Sequence, residues 1–224
     1  IATFAYAEKE TYGFSEHHIL TQFYTLTFDA SLLELCPMIF HGNTLYMLSK
    51  EERLDISLFA EAIHEHRIDY IMMVPMSALK QYLLFATEED IEKLQRLQCF
   101  GVGGETLPLD TVRLFQEKFG LIPLKNVYGP TECSVLTTTY TIDTLLPKDL
   151  MTIPIGTPLP NYRVHVLNDG MAYCPIGVTG ELYIETTALA EGYLHLPEKT
   201  DEVFVMTPHS ENRMYRSGDL VRLL

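Results

Sequence analysis

The feature that most constrains the fold is a continuous apolar run over residues 70–74 (YIMMV), which ends at Pro75. A short apolar run of this kind is typical of a strand that is buried on both faces of a sheet. Strands are buried on both faces where helices cover a mostly parallel sheet. The run therefore predicts an α/β fold class.

The segments around this run alternate between strand-like and helix-like patterns. We predict strands over 19–28, 44–49, 98–102, 122–127 and 136–142, and helices after Asp29 or Ser31, after Asp55, over 76–86 and 88–97, and from Pro108 to Gly120. Glu34, three residues after Ser31, fits a capping box, and Pro37 predicts that this helix is bent or starts late.

After about residue 140 the pattern changes to short alternating strands, over 162–167 and 180–186, with an Asp169-Gly170 turn. We therefore expect two subdomains. Residues 1–150 should form the mostly parallel, helix-covered α/β subdomain. Residues 151–224 should form a small all-β subdomain, a distorted barrel.

The charge balance limits the functional classes. Thirty acidic residues stand against sixteen basic ones, and the formal net charge is −14. Such a chain would repel a phosphodiester backbone, so nucleic-acid binding is not expected. No apolar run approaches the length of a membrane span. The four cysteines are widely spaced and form no CxxC pair, which indicates reduced residues and a cytoplasmic protein.

Three loops follow predicted strands, at the sheet edge where open α/β sheets bind ligands. In the first, Asp29 could cap a helix or pair with a substrate ammonium. In the second, residues 101–105 (GVGGE) allow a ligand to approach the backbone, although a tight turn explains them equally well. In the third, residues 126–132 (NVYGPTE) combine a stacking ring at Tyr128 with oxygen donors that suit Mg²⁺, where a surface β-turn is the alternative.

The third loop resembles the signature of the adenylate-forming superfamily, specifically the adenylation domains of nonribosomal peptide synthetases. Further segments resemble other motifs of these domains in the same order along the chain. They are residues 28–31 (FDAS), 154–158 (PIGTP), 180–184 (GELYI), 190–193 (AEGY) with 197–200 (PEKT), and 215–220 (YRSGDL). The resemblance covers almost the whole chain.

The resemblance implies a reaction and a role for each matching residue. An amino-acid carboxylate would attack the α-phosphorus of ATP, giving aminoacyl-AMP for transfer to a phosphopantetheine thiol on a carrier-protein partner. The nucleotide-binding residues would be Gly103, Gly104, Glu105, Asn126, Tyr128, which stacks on adenine, Gly129, and Asp219, which binds the ribose. Thr131 and Glu132 would be catalytic, contacting the phosphates, with Glu132 also binding Mg²⁺, and Asp29 would hold the substrate ammonium.

The same matching implies a substrate pocket made of apolar residues. Its lining would be Ala30, Leu33, Met73, Phe100, Val102, Val127, Val135 and Leu136. An apolar pocket rejects a polar side chain, so the expected substrate is an aliphatic or small apolar amino acid. For each of these residues, ordinary core packing is the alternative.

The chain departs from the resembled pattern in two places. Glu185, Thr186 and Ala188 replace usual glycines, and Glu191 replaces a usual arginine. The resemblance also implies an upstream phosphate loop with a lysine and a later C-terminal lysine, and neither occurs in these residues. We therefore interpret the chain as part of a larger protein and expect it not to turn over alone. An acyl- or aryl-acid CoA ligase and a non-catalytic binding scaffold are the alternative functions.

Overall fold

The computed structural model describes residues 1–15 and 17–224, which divide into two compact units. The α/β unit consists of Tyr12–Tyr128 and Thr138–Thr157, and the β unit consists of Ile1–Thr11, Gly129–Thr137 and Pro158–Leu224. None of the helices within the described residues combines the length and the apolar character that crossing a membrane requires.

The helices are α1 (Ala2–Tyr12), α2 (Ala30–His41), α3 (Lys50–Leu54), α4 (Ile56–Glu65), α5 (Met76–Phe85), α6 (Glu88–Leu94), α7 (Leu109–Phe119) and α8 (Pro197–Val203). The strands are β1 (Ile19–Gln22), β2 (Thr44–Met47), β3 (Tyr70–Pro75), β4 (Cys99–Gly103), β5 (Leu124–Tyr128), β6 (Thr138–Ile142), β7 (Thr157–Pro158), β8 (Tyr162–Leu167), β9 (Gly180–Thr186), β10 (Phe204–Thr207) and β11 (Ser210–Val221).

The α/β unit is built on a sheet with the strand order β2-β1-β3-β4-β5-β6-β7. Strands β1 to β5 are all parallel to one another, and β6 is antiparallel to β5. Ile71 of β3 and Phe100 of β4 are fully buried in one core with Leu79 of α5 and Phe115 of α7. This arrangement, together with the antiparallel sheet of the β unit, confirms the predicted fold class.

The predicted strand over 19–28 is wrong beyond Gln22, where β1 ends. The chain then turns, and the Phe28 N–H donates to the Thr25 carbonyl oxygen at 3.0 Å. The N–H groups of Phe23 and Tyr24 donate to a side chain, the Glu34 carboxylate, instead of to a neighbouring strand. A strand whose donors are used in this way cannot continue its ladder.

The predicted capping box of Ser31 and Glu34 is also wrong. Asp29 is the N-cap residue of α2, but its side chain makes no capping hydrogen bond. Ser31 lies inside the helix, and its hydroxyl donates to the Phe28 carbonyl at 2.7 Å. Of the two alternatives predicted for Pro37, a bend or a late start, the late start is wrong, because α2 begins at Ala30.

Other helix boundaries agree with the sequence. Asp55 caps α4 by accepting from the N–H groups of Ser57 and Leu58 at 2.9 and 3.2 Å. Pro108 and Gly120 flank α7, as their residue types predict. These predictions are confirmed because each depends on chemistry within a few residues of the boundary.

The β unit contains a four-stranded sheet with the order β10-β11-β9-β8. All of its neighbouring strands are antiparallel. The strands predicted over 162–167 and 180–186 are confirmed as β8 and β9. The pairing of β11 with β9 shifts register between Arg216 and Leu220, so β11 is irregular at the segment that carries Asp219.

Candidate functional site

In the α/β unit, three sequence-predicted segments lie at the carboxyl edge of the parallel strands. Asp29 follows β1 through a short connection, Gly104 and Glu105 follow β4, and Tyr128 is the last residue of β5. Because β1, β3, β4 and β5 run in the same direction, their carboxyl ends share one edge of the sheet. That edge is where open α/β sheets bind ligands.

Gly103, at the end of β4, lies against two predicted pocket residues. A Cβ atom there would come within 2.5 Å of the Val127 Cγ2 atom and within 2.9 Å of the Met73 Sδ atom. Any larger residue would therefore push these side chains away. The structure brings Gly103, Met73 and Val127 together as an apolar wall.

The other apolar candidates of the α/β unit are buried. Ala30 and Leu33 lie in the first turns of α2 and are 5% and 1% exposed. Phe100 and Val102 of β4 are fully buried in the core cluster. The Phe100 ring meets the Phe115 ring of α7 edge-on, with centroids 5.5 Å apart, so this residue has a packing role whatever else it does.

Asn126 of β5 is buried and connects to another motif of the sequence. Its Nδ2 donates to the Pro154 carbonyl oxygen at 2.8 Å. On the neighbouring strand β6, the Thr138 hydroxyl donates to the Ile155 carbonyl at 2.7 Å. The 154–158 segment is thus held against β5 and β6 through its backbone oxygens, which explains why a polar side chain is buried at Asn126.

In the β unit, Glu132 lies in a 3-10 turn, Thr131–Cys133, that is fixed to the chain after β9. The Ala190 N–H donates to the Glu132 carbonyl at 2.8 Å, and the Tyr193 hydroxyl donates to the Glu132 carboxylate in a very short hydrogen bond. This hydrogen bond raises the pKa of Tyr193. Burial raises the pKa of Tyr215, whose hydroxyl interacts with that of Tyr193.

The backbone around this turn is tightly constrained. A Cβ atom on Gly129 would lie 2.4 Å from the Val135 carbonyl oxygen, so only glycine fits. Ser134 and Val135 have φ of 60° and 74°. A β-branched residue is a conformational outlier at positive φ, and such outliers cluster at functional sites. The Ser134 hydroxyl donates to the Ala188 carbonyl at 2.7 Å and helps to hold this conformation.

The remaining candidates of the β unit differ in exposure. Val135 and Leu136 are 8% and 1% exposed, whereas Thr131 and Asp219 are exposed. Asp219 follows Gly218, which has a φ of 78°, at the irregular segment of β11. Its N–H donates to the Ser217 hydroxyl oxygen at 3.1 Å, so a local turn presents the carboxylate at the surface.

The two departures from the resembled pattern are accommodated in different ways. Glu185 is buried and accepts hydrogen bonds from the Ser210 hydroxyl and the Asn212 amide, each at 2.8 Å. At Glu191, the carbonyl oxygen accepts from Arg213 at 3.0 Å, so a cation from β11 contacts the backbone where an arginine is usual. Both departures are therefore integrated into the β unit.

The sequence did not predict two contacts, the hydrogen bond from Tyr193 to Glu132 and the hydrogen bonds that Glu34 accepts from Phe23 and Tyr24. Tyr193 is the last residue of the 190–193 segment (AEGY), but its partner Glu132 is 61 residues away in the sequence. No local pattern reveals a hydrogen bond of that separation. The spacing of Glu34 from Ser31 predicted a capping box, whereas its carboxylate accepts from the N–H groups of Phe23 and Tyr24.

The donors at Thr131 and Glu132 fit a magnesium ion. Mg²⁺ in phosphate-handling proteins is usually held by one or two carboxylates together with phosphate oxygens and water. One carboxylate and one hydroxyl on neighbouring residues match that pattern. Among the described residues, no group of three or more His, Cys, Asp or Glu side chains is arranged to hold a metal ion.

The parallel sheet and its strand-end motifs define the class of protein, an AMP-binding protein. Residues 1–194 match the family described as AMP-binding enzyme. The chain belongs to this family.

The chain is similar to bacitracin synthase 1 of Bacillus licheniformis, with 37% identity over 201 residues, which is 89% of this chain and 4% of that protein. It is 35% identical over 218 residues to gramicidin S synthase 2 of Brevibacillus brevis, covering 96% of this chain and 5% of that protein. The chain thus spans a small part of these curated relatives.

Solved structures show the same fold. The crystal structure of the nonribosomal peptide synthetase FmoA3 bound to α-methyl-L-serine-AMP matches with a TM-score of 0.88 and 26% identity. The match covers 100% of this chain and 25% of that one. The structure of CmiS6 matches with a TM-score of 0.89 at 24% identity, covering 98% of this chain and 53% of that one.

Proposed function

We propose that this chain is part of an adenylation domain that uses ATP to activate an aliphatic or small apolar amino acid. The observation that carries the proposal is Asp29, a carboxylate at the same sheet edge as Tyr128 and the turn after Gly103. A carboxylate there suits a substrate with an ammonium group. The membership of the AMP-binding family and the similarity to peptide synthases support the proposal.

The apolar wall of Gly103, Met73 and Val127 determines which substrate side chain the site accepts. Met73 and Val127 approach Gly103, and Leu33 of α2 is also buried. A polar substrate side chain would lose its hydrogen bonds to water here and gain none. The proposed substrate is therefore aliphatic.

The reaction joins the substrate carboxylate to the α-phosphorus of ATP. A carboxylate oxygen forms the new P–O bond, and pyrophosphate leaves with the electron pair of the bond that breaks. Tyr128 would stack on adenine, Asp219 would accept hydrogen bonds from the ribose hydroxyls, and Thr131 would contact phosphate oxygens. Mg²⁺, when bound by Glu132, would neutralise charge on the phosphates.

The Tyr193 hydroxyl fixes one orientation of the Glu132 carboxylate. A Mg²⁺ ion that binds Glu132 would therefore meet a carboxylate that is already oriented. The product, aminoacyl-AMP, would pass its acyl group to the phosphopantetheine thiol of a carrier protein. We infer a cytoplasmic location from this chemistry and from the cysteine pattern.

An Asp29→Ala variant of the full-length protein tests the proposal. Amino-acid-dependent pyrophosphate exchange should fall about a hundredfold or more, because the ammonium loses its charged partner. Exchange supported by the matching desamino acid should not fall. Thr25→Ala, at an exposed position in the same connection, is the control. Unchanged amino-acid activation by the Asp29 variant would reject Asp29 as the partner of the ammonium group. Exchange by the unmodified protein with the desamino acid but not with the amino acid would favour an acyl- or aryl-acid ligase.

A further inference from the structure

Glu34 of α2 is a fully buried carboxylate that neither caps a helix nor forms part of the proposed ATP or side-chain pockets. Its Oε1 accepts from the Phe23 N–H at 2.7 Å, and its Oε2 accepts from the Tyr24 N–H at 3.1 Å. Each oxygen therefore takes one of two consecutive backbone donors. These donors belong to the chain that has just left β1.

The same short stretch of backbone is held on its carbonyl side. Arg53 of α3 donates from Nη1 to the Phe23 carbonyl oxygen at 2.8 Å, and the Gln22 amide donates to the Tyr24 carbonyl in a very short hydrogen bond. The peptide groups of Phe23 and Tyr24 are thus fixed at both their N–H and C=O groups. We call this arrangement of Glu34, Arg53 and Gln22 the connection clamp.

The connection clamp lies directly before the segment that leads to Asp29. Only residues 25–28 separate Tyr24 from Asp29, and the Ser31 hydroxyl closes the far end by donating to the Phe28 carbonyl at 2.7 Å. Asp29 and Glu34 both belong to the start of α2. The Glu34 carboxylate therefore ties the helix that carries Asp29 to the end of β1.

We propose that Glu34 is a positioning residue that fixes Asp29 at the sheet edge for the substrate ammonium. The inference rests on the proposed function, because it gives Asp29 its role there. A carboxyl group fits here because two N–H donors face it and each of its two oxygens can accept from one of them. Glutamine would present an NH₂ group to one of them, so the start of α2 would shift.

The test is a Glu34→Gln variant of the full-length protein in pyrophosphate exchange, with the best substrate among valine, leucine and isoleucine. The KM for the amino acid should rise about tenfold or more, because small displacements of a positioning group weaken binding strongly. The KM for ATP should change less than about twofold. Amide hydrogen exchange over residues 23–29 should become faster.

Asp90→Asn is the matched control. Asp90 is also a buried carboxylate of the α/β unit, and it accepts from the Thr87 N–H at 2.9 Å and the Ser57 hydroxyl at 3.1 Å. It lies at α6, far along the chain from Asp29. This variant should lose stability without raising the amino-acid KM. An equal KM rise in both variants would show general destabilisation and overturn the proposal.

An unchanged amino-acid KM in Glu34→Gln, or equal rises in the KM for amino acid and ATP, would also overturn it. If Glu34→Gln does not fold, Arg53→Ala loosens the same peptide from its carbonyl side. It should raise the amino-acid KM about threefold, and no rise would count against the clamp. If the unmodified protein activates no amino acid, the proposed function fails, and hydrogen exchange over residues 23–29 still decides whether Glu34 holds the connection.

Discussion

Glu34 of the α/β unit and Glu185 of the β unit are both buried, but their pKa values are shifted in opposite directions. Glu34 of the α/β unit is 0% exposed and accepts from the backbone N–H groups of Phe23 and Tyr24. Burial raises its pKa to about 8, although these two donors and the Arg53 guanidinium act to lower it. The loss of hydration outweighs the donors here.

Glu185 of the β unit is also little exposed, at 6%, but its carboxylate is less deeply enclosed than that of Glu34, and its pKa is lowered. The largest cause is the Asn212 amide, followed among the favourable contacts by Ser210, His165 at 3.2 Å and Arg163 at 3.8 Å. At Glu34 the loss of hydration is the largest cause, whereas at Glu185 the hydrogen-bond donors together outweigh it. The balance between desolvation and donors therefore sets the direction of each pKa shift.

The difference also separates two uses of a buried carboxylate. The donors to Glu34 are backbone groups of one short connection, so this residue fixes the path of the chain. The donors to Glu185 are side chains of β8 and of the start of β11, so this residue joins neighbouring strands. The first use serves the proposed substrate site, and the second stabilises the sheet.

The largest expected effect is on how stability depends on pH. The pKa of Glu34 is raised from 4.5 to about 8 in the folded state, so its contribution is fully present below pH 4.5 and is lost as the pH rises through 8. The stability difference between the unmodified protein and Glu34→Gln should therefore change by on the order of 4 kcal/mol between about pH 5 and 8.5. Urea unfolding followed by circular dichroism measures it.

Glu185→Gln provides the opposite case for this measurement. Because the pKa of Glu185 is lowered in the folded state, its contribution is present above the unfolded pKa and is lost only as the pH falls through the folded value. Its stability difference should stay constant over the same pH interval. A parallel slope in both variants would contradict the contrast between the two glutamates.

The second expected effect is the cost of removing the Glu185 acceptor. Glu185→Ala leaves the Asn212 amide and the Ser210 hydroxyl without this acceptor, which should cost about 2–3 kcal/mol at neutral pH. Glu211→Ala, at an exposed position of β11, is the matched control and should change little. A loss below about 1 kcal/mol for Glu185→Ala would mean that water replaces the carboxylate at no net cost.

Much of the fold could be predicted because its determinants are local. The apolar run at 70–74 identified the buried strand β3, and Pro108 and Gly120 marked the ends of α7. The end of β1 could not be predicted in this way. It depends on whether the Glu34 carboxylate reaches back along its own helix or across to Phe23, and only the packing of α2 on β1 decides that.

The candidate site shows the same difference between features set by local sequence and features set by distant segments. Motif matching identified Asp29, Gly103 and Glu132 as candidate site residues. It did not indicate the hydrogen bond between Tyr193 and Glu132 or the clamp formed by Glu34. Residue types at strand ends can be read from a sequence, whereas the groups that orient them come from distant segments.

The smallest expected effect comes from a carboxylate that is less deeply buried. The Asp69 carboxylate accepts from the Ile19 N–H at 2.9 Å, and its other oxygen lies 3.1 Å from Arg96 Nη2. The Arg96 side chain is 34% exposed, so water can replace it as a partner. Arg96→Gln should therefore cost less than about 1 kcal/mol, and the cost should shrink in high salt.

Asp69→Ala, compared in the same unfolding experiment, removes the acceptor of the Ile19 N–H as well and should cost more than Arg96→Gln. Equal losses of unfolding free energy in the two variants would mean that the ion pair, and not the hydrogen bond to the backbone, accounts for the stabilisation by Asp69. That result would weaken the inference for Glu34, since both residues hold β1 through backbone donors at opposite ends of the strand. The pair of variants thus tests, at a less buried position, the principle on which the connection clamp depends.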